Sequence, residues 1–526
     1  MRELGIFTDG TICAPATIPG TGAISIIRVS GEDSLAIADK VIEVKGESLS
    51  ETEGYRLRYG TIFADDGSVL DNVIVSVFRA PHSYTGENSV EISCHASRFI
   101  VNAVLELLVN AGARIAAPGE FTRRAFVNGK MDLAQAEAVA DVIASQSAAA
   151  HRVAMNQLKG GFSSELKTLR EKLLTMTSLL ELELDFSEED VEFVSRSELG
   201  ALVKETLTHI VRLTDSFSRG NAIKNGVPVA IVGATNTGKS TLLNALLGEE
   251  RAIVSDIAGT TRDTIEETLN LGGVMFRFID TAGIRETDEL VEKIGIERTF
   301  KKLDEASIVL GMTDLSRGED SVLADAEYIW SKVNACGTGR EFLLLVNKCD
   351  VDDSESVAAG FEAGFTETGS EAGRAVTGSR AGFAGASSDA GYVEIGSEAG
   401  HGGKAGKMAR IEAALREKGI VIKMVPISAK TGSGLPELTE TLAEIGRRIT
   451  GDTDETLVTN IRHYEALSRA ATALGRVRDG LKVATLPPDL IAQDLREALY
   501  HLGEIVGEIS TDEVLGNIFR KFCIGK

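Results

Sequence analysis

The eight residues Gly233-Ala234-Thr235-Asn236-Thr237-Gly238-Lys239-Ser240 constrain this chain more than any other feature. They match G-x-x-x-x-G-K-[ST], follow a continuous apolar run at 227–232, and precede a stretch with helical spacing from Gly238. That order is the context a phosphate-binding loop requires. The glycines let backbone N–H groups turn inward around phosphate oxygens, and the helix N-terminus adds the positive end of its dipole. Lys239 is expected to reach the β- and γ-phosphates and Ser240 to bind Mg²⁺. Asn236, Thr237, Gly238, Lys239, Ser240 and Thr241 are thus the expected nucleotide contacts, and the fold must supply a buried strand feeding a helix.

Three further motifs select the base. Asp280-Thr281-Ala282-Gly283 closes an apolar run, where the carboxylate can hold Mg²⁺ through water and the Gly283 N–H can meet a γ-phosphate. Asn347-Lys348-Cys349-Asp350 closes the next strand but one, and the Asp350 carboxylate can accept from guanine N1–H and N2–H together, a pairing adenine cannot make. Ser428-Ala429-Lys430 follows the last strand and can present a backbone N–H to guanine O6. Their order, each at a strand's C-terminal end, implies a guanine-nucleotide hydrolase resembling the translation-factor class. In the segment Gly259-Thr260-Thr261-Arg262-Asp263, Thr261 is the natural second Mg²⁺ hydroxyl. After Gly283 stands Ile284, where Ras-like enzymes place a water-orienting glutamine. An isoleucine cannot orient water, so the handle must lie downstream, among Arg285, Glu286, Asp288, Glu289 and Glu292. No arginine finger is identifiable. A monovalent cation could supply that charge, with Asn236 as a ligand.

At 526 residues the chain is too long for one hydrophobic core, and about three or four units are expected. Residues 1–128 read as mixed α/β, with β-rich runs at 23–29, 73–78 and 90–93. Residues 129–224 read as the first part of a helical domain. There Leu133, Ala136, Ala140 and Ile143 recur at helical spacing, as do Leu166, Leu169, Leu173 and Met176. Residues 225–450 form the nucleotide domain, with further strands at 275–279, 307–311, 342–346 and 423–426, and a mostly parallel sheet. Within it, 351–407 is dominated by Gly, Ala, Ser and Glu and is expected to be a disordered insertion. Helical periodicity returns over 451–526, interrupted by Pro487-Pro488. The fold class expected is therefore a multidomain α/β protein: an N-terminal α/β domain, an all-helical bundle, and a P-loop domain inserted into the bundle.

Composition excludes several function classes. The formal net charge of −23 argues against a broad nucleic-acid-coating surface, so any RNA role needs a local basic cluster or a partner protein. The five cysteines are scattered, without Cys-x-x-Cys, which indicates neither a disulfide framework nor a structural zinc. No apolar run approaches the roughly 18–20 residues that span a bilayer, and the first residues lack a signal-peptide h-region. A soluble, cytoplasmic protein without membrane partners is expected.

The flanks carry a resemblance. Thr11-Ile12-Cys13-Ala14-Pro15-Ala16-Thr17, Ile27-Arg28-Val29-Ser30-Gly31 and Tyr84-Thr85-Gly86-Glu87-Asn88 open it. Pro118-Gly119-Glu120-Phe121-Thr122-Arg123-Arg124-Ala125-Phe126 and the run Asn128-Gly129-Lys130-Met131-Asp132-Leu133-Ala134-Gln135-Ala136-Glu137 continue it, and the chain closes on Phe522-Cys523-Ile524-Gly525-Lys526. The chain resembles the MnmE (TrmE) family of bacterial tRNA modification GTPases over nearly its whole length, apart from the Gly-rich stretch. The resemblance implies a homodimer joined through N-terminal domains that bind a tetrahydrofolate derivative, 5-formyl or 5,10-methylene. It puts Arg28, Glu91, Lys130 and Lys526 at folate-contacting positions. It implies K⁺ held by Asn236, Ser255, Ile257 (through its carbonyl) and Thr260, a water-orienting carboxylate at Glu292, and a role for Cys523 beside the folate. It further implies a heterotetramer with an FAD-dependent partner of the MnmG type. Together they add an aminomethyl or carboxymethylaminomethyl group to C5 of the tRNA wobble uridine. Taken alone, Arg28 and Lys130 would read as solvated surface charges, and Glu91 as a strand's polar face. The rival reading is a regulatory GTPase switch in ribosome assembly, but such a factor usually carries a basic RNA-binding module, whereas the helical flank here is acidic.

Overall fold

The computed structural model describes residues 10–20, 22–185, 196–250, 267–279, 305–335, 340–350, 404–451, 455–483, 487–509, 512–520, 522 and 525. It is a multidomain α/β protein with two mixed sheets and many helices. The chain forms two compact units, residues 1–226 with 447–526, and residues 227–446. Most of the Gly-rich segment lies outside the described residues, but a helix already begins at Lys404, within the stretch expected to be disordered.

The first unit opens on a seven-stranded sheet of order β3-β4-β5-β6-β2-β1-β7. Its strands are β1 (Ile12–Pro15), β2 (Ile24–Ser30), β3 (Ile42–Val44), β4 (Arg56–Phe63), β5 (Val69–Phe78), β6 (Ser89–His95) and β7 (Arg114–Ile115). All neighbours pair antiparallel except β1 with β7. Strand alternation sends Ile27, Val29, Val73, Val75, Val77, Val90 and Ile92 to one face. There they form a core with α1 (Ser34–Val41) and α2 (Arg98–Asn110). The same alternation sends Arg28 and Glu91, paired in register across β2 and β6, to the other face.

Helix α3 (Glu120–Val127) is fixed by buried charge. Arg124 donates to Glu87 and Glu120 at 3.1 Å, and Arg114 donates to Glu120 at 2.8 Å. A buried guanidinium or carboxylate is tolerable only when paired this way. Helix α4 (Leu133–Ala144) starts with a capping box, Asp132 accepting from Gln135 N and Gln135 Oε1 accepting from Asp132 N. Its Leu133 and Ala136 are buried as the spacing predicts, but Ile143 is 51% exposed, because the apolar partners Leu515, Phe519 and Phe522 meet only the earlier turns.

Beyond α5 (Ala148–Leu158) the long helices pack as a bundle: α6 (Gly161–Asp185), α7 (Arg196–Asp215), and, from the far end of the sequence, residues 461–481 and 488–506. Phe162, Leu166, Leu169, Leu173, Met176 and Leu180 make a stripe alternating four and three residues apart, which keeps one face of α6 on the bundle axis. Helix α8 (Phe217–Asn225) leads to the second unit.

The second unit has a six-stranded sheet of order β13-β12-β11-β8-β10-β9. Strand β8 (Val227–Gly233) and helix α9 (Lys239–Glu250) are followed by β9 (Glu267–Leu271), β10 (Val274–Ile279) and β11 (Ile308–Asp314). Then come α10 (Glu319–Ala335), β12 (Glu341–Asn347), α11 (Lys404–Glu417), β13 (Lys423–Pro426) and α12 (Leu435–Thr450). All pairs are parallel except β9 with β10. Buried on both faces, β8 and β11 read as unbroken apolar runs. The chain passes from β8 to one side through β10 and then returns to β11 on the other, so a crevice opens at the C-terminal ends of β8 and β11.

From Arg447 the chain belongs to the first unit again, and it continues as α13 (Ile461–Leu481), α14 (Pro488–Val506, with proline in its first turn as expected for that position) and α15 (Asp512–Phe519). At the start of α13, Arg462 and His463 meet Glu137 of α4. Arg462 Nε donates to Glu137 Oε1 at 2.9 Å and Nη2 to Oε2 at 3.0 Å, while His463 Nε2 lies 2.7 Å from Glu137 Oε2. Burial alone would raise the Glu137 carboxyl, but His463 and Arg462 outweigh it and hold it at about 2. Burial pushes His463 below the usual imidazole range despite the Glu137 charge, because a second proton would sit on Nδ1, which has no partner. A depressed imidazole favours folding above about pH 6.5 and loses that contribution as pH falls, since the unfolded chain then binds a proton the native one refuses. Urea midpoints followed by circular dichroism should therefore drop between pH 7.5 and 5.5, and His463→Gln should flatten that slope. An unchanged slope in the variant would remove His463 as its source.

Candidate functional site

The loop between β8 and α9 turns on two left-handed residues, Asn236 (φ 58°) and Gly238 (φ 97°). Gly238 is required twice over, because a Cβ there would also overlap the Asn347 side-chain amide. The Thr237 hydroxyl donates to Ala234 O at 2.8 Å, tightening the turn. Lys239 donates to Gly233 O (3.0 Å) and Ala234 O (2.8 Å), so its ammonium folds back over the loop it belongs to. Burial pushes that ammonium below the usual lysine range, which means an anion brought there meets a desolvated, unneutralised charge. Ser240 and Thr241 stand in the first turn of α9, whose leading N–H groups have no acceptor within the helix. This cradle fits a nucleotide phosphate.

Asn347 joins the loop to the rest of the crevice. Its buried side chain donates through Nδ2 to Thr237 O (2.7 Å) and accepts through Oδ1 from Ala429 N (3.0 Å). One amide thus welds the ends of β8, β12 and β13. The next residue, Lys348, is left-handed (φ 62°) and pairs with Asp314 at 2.6 Å. Asp314 also accepts from Ser316 N (3.0 Å) and its hydroxyl (2.6 Å). Burial would raise Asp314, but Lys348 and Ser316 overcome it and lower the carboxyl. Asp350 stands exposed past this turn. The turn after β13 is closed by Ser428 N donating to Ser433 O (2.8 Å) and Gly432 N to Ser428 O (2.9 Å). Ala429 N is already bonded to Asn347. Of the three amides in the segment expected to present a backbone N–H to guanine O6, Lys430 N is therefore the one without an intraprotein acceptor among the described residues.

The structure thus brings together Asn236, Thr237, Gly238, Lys239, Ser240, Thr241, Asn347, Lys348, Asp350, Ser428, Ala429 and Lys430. Ser255, Ile257, Thr260, Thr261, Asp280, Thr281, Ala282, Gly283, Ile284 and Glu292 lie outside the described residues, as do Cys523 and Lys526. Asp314 was missed by sequence reasoning. Its signal, an acidic residue closing the apolar run of β11, was present but is not a motif.

A second constellation occupies the open face of the first sheet. Arg28 Nε donates to Glu91 Oε1 at 2.9 Å, and the guanidinium carbon lies 5.0 Å from the Tyr84 ring centre and 5.6 Å from that of Phe121. The Tyr84 and Thr122 hydroxyls share a 2.8 Å hydrogen bond. Burial raises the Tyr84 phenol, so it remains a neutral donor. Lys130 Nζ donates to Pro81 O at 3.0 Å, beside the same loop. Gly525 (φ 97°) packs so tightly on Pro15 O that a Cβ would overlap it, which brings the C-terminal tail to the end of β1 next to Arg28. A cation–carboxylate pair under aromatic rings fits a flat polar heterocycle with donor and acceptor edges. Tyr84 and Phe121 were not singled out as contacts from the sequence, although both lie in the segments that carry the resemblance. Among the described residues no group of His, Cys, Asp and Glu could hold a metal, and no helix is long and apolar enough to cross a membrane.

Comparison with known proteins agrees in both regions. The family model "MnmE helical domain" matches residues 133–523, and "GTP-binding protein TrmE N-terminus" matches 11–130. A protein of Parabacteroides distasonis named tRNA modification GTPase MnmE is 48% identical over 519 residues, covering 98% of this chain and all of the relative. Proteins of the same name from Bacteroides fragilis (48% identical, 98% of this chain and 99% of the relative) and Flavobacterium johnsoniae (44%, 99% and 100%) match equally broadly.

Removing the Asn347 amide leaves two buried backbone groups, Thr237 O and Ala429 N, without partners. Each such orphan costs about 1–3 kcal/mol. Asn347→Ala should weaken guanine-nucleotide affinity by about tenfold or more, since RT ln 10 is about 1.4 kcal/mol. Fluorescent-nucleotide titration measures this, and unchanged affinity would mean that the weld does not shape the site.

Proposed function

Because the chain belongs to the MnmE family of tRNA modification GTPases, we propose that it couples GTP hydrolysis in its second unit to C5 modification of the tRNA wobble uridine. It is a GTP-hydrolysing enzyme of tRNA modification. The observation that supports the guanine-nucleotide part of this reading best is the Asn347 weld. It fixes the phosphate loop and the 428–430 turn to one end of one sheet, so that a single ligand carrying both phosphate and guanine answers them.

In this reading Asp350 accepts from guanine N1–H and N2–H, and the backbone at Lys430 donates to O6. Lys239 transfers its hydrogen bonds from Gly233 O and Ala234 O to phosphate oxygens, regaining the charge compensation that burial removes. Ser240 and Thr261 hold Mg²⁺, with Asp280 behind it through water. Asn236, Ser255, the Ile257 carbonyl and Thr260 hold K⁺, which supplies the charge an arginine finger would otherwise bring. Glu292 orients the attacking water, because Ile284 cannot.

In the first unit, Arg28 and Glu91 present paired donor and acceptor edges to a tetrahydrofolate derivative, 5-formyl or 5,10-methylene, with Tyr84 and Phe121 against its ring. Lys130 and Lys526 complete the polar contacts. The folate supplies the one-carbon unit when bound. Cys523 acts beside the folate in this reading. The active assembly is a homodimer working with an FAD-dependent partner of the MnmG type, in the cytoplasm, on tRNA.

Turnover should be faster in K⁺ than in Na⁺ at equal ionic strength. Glu292→Ala should lower kcat by about 10²-fold or more with GTP binding intact, since positioned acid–base and water-orienting groups contribute about 10²–10⁴. Asn236→Ala should abolish the K⁺ preference without abolishing binding. Equal wild-type turnover in the two salts, measured by phosphate release, would remove the cation from the mechanism and make Arg262 or Arg285 the better source of charge.

A further inference from the structure

Two peptide connections join the units, one after α8 and one within 446–460. On the first-unit side the two are latched together. The Ser216 hydroxyl accepts from Val458 N at 3.1 Å, Arg219 pairs with Glu455 at 2.6 Å, and the buried Gln157 of α5 donates to Leu457 O at 3.1 Å. A displacement of either connection therefore moves both.

Both connections also end on one helix. Lys224, three residues before β8, pairs with Asp141 of α4 at 2.7 Å. Arg462, just past the returning strap, grips Glu137 of α4 with two nitrogens. Glu137 and Asp141 are one turn apart, so the incoming and outgoing connections hold adjacent rungs of α4.

Helix α4 in turn packs on α3, which carries Phe121, and on α15, while the residues just before it hold the loop that carries Tyr84. Leu133 and Ala136 pack with Leu515, Phe519 and Phe522, which lead to Gly525 at β1. The residues just before α4 bind the loop that carries Tyr84, through Asn128 Nδ2 to Thr85 O (2.7 Å) and Lys130 Nζ to Pro81 O (3.0 Å). Arg462 also donates to Glu504 O (2.7 Å) and Ile505 O (3.0 Å) in the last turn of α14, the helix that precedes α15 in sequence.

We propose that Lys224 and Arg462 are positioning residues that transmit the nucleotide state of the second unit through α4 to the tail and the Arg28 constellation. The inference rests on the second unit being a GTPase. The Lys224–Asp141 pair is partly solvated, with side chains 28% and 16% exposed, so it contributes little to stability and can be broken without unfolding the chain. The Arg462–Glu137 contact is more buried and is the riskier one to remove.

The test uses the full chain and hydrogen exchange of peptides spanning 133–144 and 512–522, in GDP and in GDP with aluminium fluoride and K⁺. In the wild type, exchange of both peptides should differ between the two states. Lys224→Met should shrink that difference by about 3-fold or more, in the range expected for residues along a coupling route, while GTP turnover stays within about 2-fold. The charge-swapped double variant, Lys224→Asp with Asp141→Lys, should restore it, which assigns the effect to the pair itself. A difference fully retained in Lys224→Met, or absent from the wild type, would overturn the coupling. Calorimetry showing no nucleotide binding would overturn the GTPase reading itself and the coupling with it.

Discussion

One buried amide organises the second unit. Strands of a parallel sheet end in separate loops with no reason of their own to agree on position. The Asn347 side chain supplies that reason, because its donor and acceptor each satisfy a backbone group from a different loop. Both partners are buried, where an unmade hydrogen bond costs most. The Lys348–Asp314 pair adds a fourth strand end, that of β11, to the same arrangement. The crevice is thus set by polar contacts between loops, while the apolar strands behind them fix only its location.

The first unit solves a different problem. A single sheet face covered by α1 and α2 leaves the opposite face free for polar chemistry, and strand alternation alone puts Arg28 and Glu91 there. What makes this a pocket is imported from distant sequence. Tyr84 arrives on a loop pinned by Arg124 and Glu87, Phe121 on a helix pinned by Arg114 and Glu120, and Gly525 from the other end of the chain. Charged pairs carry much of this assembly, and most are buried enough that losing one partner would leave a costly lone charge.

These contrasts explain what could be read in advance. The loop at 233–240 was legible because its geometry dictates both residue type and spacing within eight positions. The apolar strands were legible because burial on both faces leaves an unbroken run. The helical bundle was legible from the spacing of Leu166, Leu169, Leu173 and Met176, all of which are buried. Ile143 fits the same spacing yet is exposed, since periodicity records where apolar residues stand and not whether a partner reaches them. Glu137 and Arg462 are 325 positions apart, and a lone pair at that separation leaves no local pattern. The same holds for Asp314, and for the bond by which Asn347 takes up the Ala429 N–H of the 428–430 segment.

The account joins two sites in one purpose, and the most direct measurement is of the product. Nucleoside mass spectrometry of tRNA from a strain lacking this chain should show loss of the aminomethyl or carboxymethylaminomethyl substituent at the wobble uridine. Wild-type chain should restore it, and Arg28→Ala, which leaves the nucleotide unit intact, should not. Unmodified levels identical in the deletion and parent strains, or full restoration by Arg28→Ala, would contradict the account.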